Sequence, residues 1–245
     1  MGSDSETELT GGGRTSVSRV GNVVHRETGI WASSVHQLLR HLERKGFQGA
    51  PRVVGSGFDN RGRETLTYIE GEMVFPGPWT EEALPVLGRL LRDLHRATDS
   101  FKVPDSAVWR PWFGRDLGKP PYVIGHCDMG PWNIITTDGI PSAVIDWEAA
   151  GPVDPLFELA QLCWLNAQLY DNDVAERVGL APLIERARFA RMILDGYGLS
   201  AERRKGLVDK LIEFAVSDAA DQAIEADITP ETKDGELLWG IAWRS

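Results

Sequence analysis

The sequence predicts an α+β chain of two lobes: a small N-terminal β-sheet lobe carrying one helix, then a larger and mostly helical C-terminal lobe. Three observations carry this. Short strand patterns fill roughly the first seventy residues, interrupted by a single helical period between Trp31 and Arg44. The pattern changes after Gly71, where EEALPVLGRLLRDLHRAT has the spacing of an amphipathic helix. Beyond Pro155 the chain reads helical to its end, with breaks near Gly179, Gly196–Gly198 and Pro230.

The elements follow in order. Residues 1–8 are polar and acidic and read as a disordered N-terminus. Val17–Val20 and Val23–His25 are two short strands turning at Gly21-Asn22, a hairpin signal. In the helix from Trp31 to Arg44, Val35, Leu38, Leu39 and Leu42 recur at helical spacing, and Gly46 supplies the C-cap. PRVVGSGF and ETLTYIEG form two more strands around the turn DNRG. Residues 9–71 thus make the first lobe, with a hinge near Glu70-Gly71, and residues 72–245 the second. Within the second lobe a Trp- and Pro-rich loop, 108–121, precedes three short apolar strands: Tyr122–Ile124, Asn133–Ile135 and Ala143–Asp146.

The composition is that of a globular protein, 42% hydrophobic and 25% charged, which suffices for a sizeable core. A net charge of −10 argues against a nucleic-acid partner and permits a cationic one. Two cysteines, Cys127 and Cys163, are too few for a disulfide scaffold and wrongly spaced for zinc, which fits a reducing cytoplasm. The N-terminus lacks the basic and apolar parts of a signal peptide, and no apolar run reaches a membrane span of ~20 residues.

The chemistry is concentrated in HCDMGPWNIITTDGIPSAVIDWE, His126 to Glu148. Asp128, Asn133 and Asp146 offer two carboxylates and a carboxamide on turns and strand ends. Such hard oxygen donors suit Mg²⁺, which keeps room for substrate phosphates. The spacing His126-x-Asp128-x-x-x-x-Asn133, followed by an aspartate closing a strand, is the phosphoryl-transfer arrangement. Turn chemistry accounts for any one of these residues but not for all four in register. GSGFDN at Gly55 is a strand turn, not a dinucleotide fingerprint, and no P-loop is present.

HCDMGPWNII…AVIDWEAAGPVDPLFELA resembles the signature of the aminoglycoside phosphotransferase and choline kinase-like family, which shares the protein-kinase fold. The resemblance is strongest over Tyr122–Gln161 and continues colinearly through the first lobe. It implies a protein-kinase-like two-lobed fold, Mg²⁺, and ATP or GTP as phosphate donor. It implies Asp128 as the base that takes the acceptor proton and His126 as a brace of that loop. It makes Asn133 and Asp146 magnesium ligands, and Asp154 and Glu158 supports of the catalytic loop. Nucleotide contacts fall to Arg26, to Gly12 and Gly13 of TGGGRTSV, and to Ile69, Glu70 and Gly71. Three positions depart from the family pattern. Cys127 stands for the usual glycine, Arg26 for the usual lysine of the third strand, and His36 for the helix glutamate that pairs with that lysine. An Arg facing a His is no ion pair, so the usual clamp is absent or rebuilt.

For the acceptor, the resemblance suggests an aminoglycoside or related amino sugar. The alternatives are another small alcohol, of the choline, homoserine or thio-sugar type, and a nucleotide-binding protein that kept the fold without catalysis. Along a helix from Ala201 to about Ala226, Val208, Ile212, Ala215, Ala219 and Ala223 form the expected core face. Beside it a stripe of Leu207, Leu211, Phe214, Asp218, Asp221 and Glu225 turns from apolar to acidic. Asp218, Asp221, Glu225 and also Glu148 are candidate contacts for a cationic substrate. Trp109, Trp112 and Trp132 are candidate walls for a sugar.

Overall fold

A computed structural model describes residues 5–9 and 16–229 of the chain. Gly12 and Gly13, expected at the nucleotide, and the break expected at Pro230 lie outside the described residues.

The first lobe is one antiparallel sheet. Strands β1 (Thr7–Glu8), β2 (Val17–Val20) and β3 (Val23–Arg26) are followed by helix α1 (Ala32–Arg44), then β4 (Val53–Phe58) and β5 (Glu64–Thr67), in the order β1-β2-β3-β5-β4. The turn Gly21-Asn22 joins β2 to β3 as its residue types require, Gly21 having φ +58°. The expectation of disorder over residues 1–8 fails at its end. Thr7 and Glu8 pair with Arg19 and Ser18, and Glu6 accepts from Ser18 Oγ at 2.6 Å. This edge strand is held by a strand ten residues away, which local composition does not reveal.

Helix α1 buries Val35, Leu38, Leu39 and Leu42 against Leu66 of the sheet, each of these four at most 1% exposed. That core runs on into helix α2 (Leu84–Thr98), whose Leu84, Leu87, Leu91 and Leu94 are likewise closed from solvent. Between the lobes, Glu72 and Thr136 exchange backbone hydrogen bonds of 3.1 and 2.8 Å, and Thr136 Oγ1 adds a third to Glu72 O. Gly71, at φ +145°, passes so close that a Cβ there would lie 2.4 Å from Thr136 O.

In the second lobe β6 (Val123–Gly125) pairs with β9 (Gly151–Val153), a Gly-Pro-Val strand that the sequence pattern does not signal. The hairpin of β7 (Ile134–Thr137) and β8 (Ile140–Val144) turns at Asp138-Gly139. Helices α3 (Pro155–Asn166), α4 (Asn172–Arg177), α5 (Leu183–Tyr197), α6 (Ala201–Arg204) and α7 (Leu207–Glu225) complete it. Gly88 of α2 and Gly196 of α5 let these helices touch backbone to backbone. A Cβ at either would stand 2.0 Å from a carbonyl oxygen of the other.

The expected single helix from Ala201 is broken at Gly206, φ +79°, into α6 and α7. Its expected core face is also corrected: Val208 and Ile212 are 63% and 57% exposed, while Leu207 and Phe214 are buried. The stripe that turns acidic is therefore the inward one. Over the first half of the helix both stripes are apolar, and the larger Leu/Phe set takes the core because it buries more area per residue, while Ala223 at the far end of the expected face is buried as expected. Among the described residues no helix is long and apolar enough to cross a membrane.

Candidate active site

The candidate catalytic segment runs from the end of β6 to the start of β7, and α3 holds its backbone. Glu158 Oε1 accepts from Cys127 N at 2.8 Å, Gln161 donates to Cys127 O at 3.0 Å and accepts from Met129 N at 3.2 Å, and Asn166 donates to Met129 O at 2.8 Å. These polar residues interrupt the apolar helix LFELAQLCWLN because their partners are buried peptide groups that water cannot reach. Glu158 also takes His95 Nε2 at 2.7 Å, on Oε2. Burial raises a carboxyl pKa, but these donors outweigh it and hold Glu158 below its ordinary value. Asp154 caps α3 by accepting from Leu156 N at 2.8 Å and receives Lys210 Nζ at 3.1 Å. His95, which shows no metal-ligand spacing in the sequence, is thus a packed partner of Glu158, and His41 likewise lies 2.9 Å from Ala97 O.

His126 is fully enclosed. Its Nε2 donates to Ile145 O at 2.9 Å, Nδ1 accepts from Asp128 N at 3.3 Å, and the ring packs edge-on to Trp147. Burial depresses its pKa, and both contacts fit the neutral ring. Asp128, two residues on, is held by Asn133 Nδ2, which reaches its Oδ2 at 2.8 Å and its carbonyl at 3.1 Å. Burial first, and then the charges of Asp146, Glu148 and Asp218, push the Asp128 carboxyl up to about 7.

Asp146 lies two residues past the end of β8, in the left-handed region at φ +60°, which turns its side chain off the strand direction. Cys127 is the other non-glycine here with positive φ, +64°. This explains why glycine suits the position in the resembled family; the buried thiol fills the space at the cost of about 1–2 kcal/mol of backbone strain. Burial also drives its pKa far up, so it is no nucleophile.

Of the two expectations for Arg26 and His36, a clamp absent or rebuilt, the structure shows the second: the two are joined through Glu64, a residue the sequence reading passed over. Arg26 Nε donates to Glu64 Oε2 at 2.5 Å, and His36 Nε2 lies 2.8 Å from Glu64 Oε1. Arg26 Nη1 reaches Asp146 Oδ1 at 2.5 Å. Burial works against the Arg26 charge, yet the two carboxylates outweigh it and raise its pKa. The available signal for Glu64 was register: on β5 it stands directly opposite Arg26.

The acceptor candidates divide. Asp218, on the inward stripe of α7, acts electrostatically on Asp128 and on Tyr170, and it is bonded by Gln222 Nε2 at 2.7 Å. Burial and then the charge of Asp221 raise its pKa to about 6, with the Gln222 bond opposing them. Asp221 is half-buried beside it, and Glu225 is exposed at the helix end. Glu148 is ion-paired with Arg110, another residue the sequence reading missed. Trp132 is 37% exposed and faces Phe75, whereas Trp109 packs on the core and Trp112 on Phe113. Of the hinge candidates, Glu70 is paired with Arg19 at 2.7 Å, and Ile69 and Gly71 flank it.

Among the described residues no three His, Cys, Asp or Glu side chains cluster at metal spacing. The candidate donor set here is smaller: the Asp146 carboxylate, 39% exposed, and the Asn133 carboxamide, whose Nδ2 is taken by Asp128, which leaves its oxygen as the candidate ligand atom. Two oxygen donors fit magnesium, which takes its remaining ligands from water and phosphates.

Residues 107–207 match the phosphotransferase enzyme family (APH). A "Trifolitoxin immunity protein" from Rhizobium leguminosarum bv. trifolii is 64% identical over 237 residues, 97% of this chain and 91% of that protein. Among solved structures, an amicoumacin kinase bound to AMP-PNP, Ca²⁺ and Ami superposes with TM-score 0.72 at 13% identity, over 98% of this chain and 85% of that one. A spectinomycin phosphotransferase bound to ADP and its antibiotic gives 0.62 at 10% identity, over 98% and 88%. A choline/ethanolamine kinase family protein from Mesorhizobium loti gives 0.55 at 18% identity, over 98% and 84%.

Proposed function

The chain belongs to the phosphotransferase enzyme family, and from that premise we propose that it moves the γ-phosphate of ATP to a hydroxyl of a small cationic toxin, disarming it. The observation that carries this is that Asn133 bonds Asp128, Arg26 bonds Asp146, and Asp146 and Asp218 both lie near enough for their charges to raise the Asp128 carboxyl. In this reading residues 9–71 receive the nucleotide and residues 72–245 supply the catalytic groups and the acceptor site. An aminoglycoside or related amino sugar is the favoured acceptor class, since Asp218 and Asp221 set negative charge beside the base. The relative's printed name supports a toxin as the compound met in nature.

The step follows from the residues. Asp128, fixed by Asn133 and by the loop that His126 braces, orients the acceptor hydroxyl and takes its proton late. The acceptor oxygen bonds to the γ-phosphorus as the bond to the bridging β–γ oxygen breaks. Arg26 steadies the phosphates, and Asn133 and Asp146 would hold magnesium, which neutralises the phosphate charge when bound. GTP would serve the same geometry.

The deciding experiment uses cells and a test tube together. Expression should protect a sensitive strain against trifolitoxin or an amino-sugar antibiotic, and purified protein with Mg²⁺ and ATP or GTP should return that compound one phosphate heavier. Protection that survives Asp128→Asn, with no phosphorylated product, would make this a binding protein and overturn the reading.

Asp218 gives a separate test. Asp218→Asn with Asp221→Asn should raise the acceptor KM by about tenfold or more, the scale of a charged hydrogen bond, and leave the ATP KM in place. Because the Asp218 carboxyl titrates near 6, its charged form grows as pH rises. The acceptor KM should therefore fall as pH climbs through about 6, and the double variant should flatten that limb. An acceptor KM equal to wild type at every pH would return the stripe to a structural role.

A further inference from the structure

A lysine and an arginine need different anchors. An ammonium is a point charge that a carboxylate can steady from any side. A guanidinium is a flat fork whose Nε–H points sideways from its two Nη groups. On an antiparallel sheet, sideways is towards the facing residue of the next strand, and for Arg26 on β3 that residue is Glu64 on β5.

Glu64 is 1% exposed and spends both oxygens inside the protein, Oε2 on Arg26 Nε at 2.5 Å and Oε1 on His36 Nε2 at 2.8 Å. A carboxylate only accepts, so Nε2 carries the His36 proton. The ring is closely packed: Gly57 makes room for it, since a Cβ there would stand 2.4 Å from Nδ1, and the Phe58 ring centroid lies 4.9 Å off. His36 sits where the resembled family places its helix carboxylate, and here it serves as a buttress. The Nη1 end of the guanidinium, held by Asp146, is the end that faces the candidate metal and phosphate site.

We propose that Glu64 is the positioning residue for the phosphate-binding cation: it pins Arg26 by Nε from within the sheet and leaves the Nη groups free to exchange Asp146 for nucleotide phosphate. This rests on the phosphotransfer reading above. It moves the anchor of the cation from helix α1 to strand β5, with α1 contributing only the donor His36.

A double-mutant cycle on nucleotide affinity tests it, read by calorimetry with Mg·AMP-PNP and with adenosine (or the guanine pair if wild type prefers guanine). Glu64→Gln should weaken Mg·AMP-PNP about tenfold, and Arg26→Ala at least as much. The double variant should bind no worse than Arg26→Ala alone, because Glu64 acts through Arg26. Adenosine, which has no phosphate, should bind all variants equally. Should Glu64→Gln fail to fold, Glu64→Asp keeps the charge, retracts it by one methylene, and should show the same pattern in smaller measure. Losses that add in the double variant, a parallel loss of adenosine, or wild-type affinity in the Glu64 variant would overturn the assignment while leaving phosphotransfer standing. A wild type that binds neither probe overturns the phosphotransfer reading and this one with it.

Discussion

Asp128→Asn should leave the protein folded and able to bind Mg·ATP, and should cut kcat by about 10²- to 10⁴-fold, the span of general-base contributions. The replacement is close to isosteric. It removes from a buried site a charge that Asp146, Glu148 and Asp218 already oppose. Asp146→Asn should behave differently, because Asp146 lies against Arg26 and offers the exposed carboxylate of the pair of candidate metal ligands. It should lose Mg²⁺-dependent nucleotide affinity as well as turnover. Titration of each variant with ATP, with and without Mg²⁺, beside single-turnover rates, separates the two roles. Wild-type turnover in Asp128→Asn would strip that residue of the base role. Equal Mg·ATP affinity in both variants would strip Asp146 of the metal.

The second large effect is on stability. Glu158→Ala should destabilise the protein by about 2–6 kcal/mol, the cost of leaving two buried donors unpaired, and lower its Tm by about 10 °C. Cys127 N and His95 Nε2 both bond to Glu158, and Glu158 is wholly closed from solvent, so water cannot take its place. Activity measured well below the new Tm should fall too, since the freed amide lies next to Asp128. Gly125→Ala should act in the same way, because its Cβ would meet Glu158 Oε2 at 2.0 Å. A Glu158→Ala protein with unchanged Tm would show that α3 does not hold the loop. Thermal unfolding followed by circular dichroism decides it.

The candidate catalytic stretch stands out in the sequence because the phosphoryl-transfer pattern is a spacing. His126, Asp128 and Asn133 belong to one short loop, and Asp146 is one hairpin away, so local order along the chain is order in space. Glu64 was not legible for the opposite reason. It stands 38 residues from Arg26, on a strand where an isolated glutamate reads as solvent-facing, and only the β3–β5 register turns it inward. The α7 stripe shows a third case. Val208 and Leu207 both repeat at helical spacing, and periodicity identifies a stripe without saying which one faces in. Strand β9 was hidden by its Gly-Pro start, and β1 by its polar residues. Both are sheet partners chosen by tertiary contact and not by propensity.

The bonds between Glu72 and Thr136 tie the beginning of the second lobe to the β7–β8 hairpin, so the two move as one piece. The tie is not the sole one: Val144 N donates to Gly49 O at 2.9 Å, His41 lies 2.9 Å from Ala97 O, and the α1 leucines share a core with those of α2. The candidate base and candidate metal ligands thus belong to one body and Arg26 to the sheet, and the 2.5 Å bond from Arg26 to Asp146 completes the charge pattern from both.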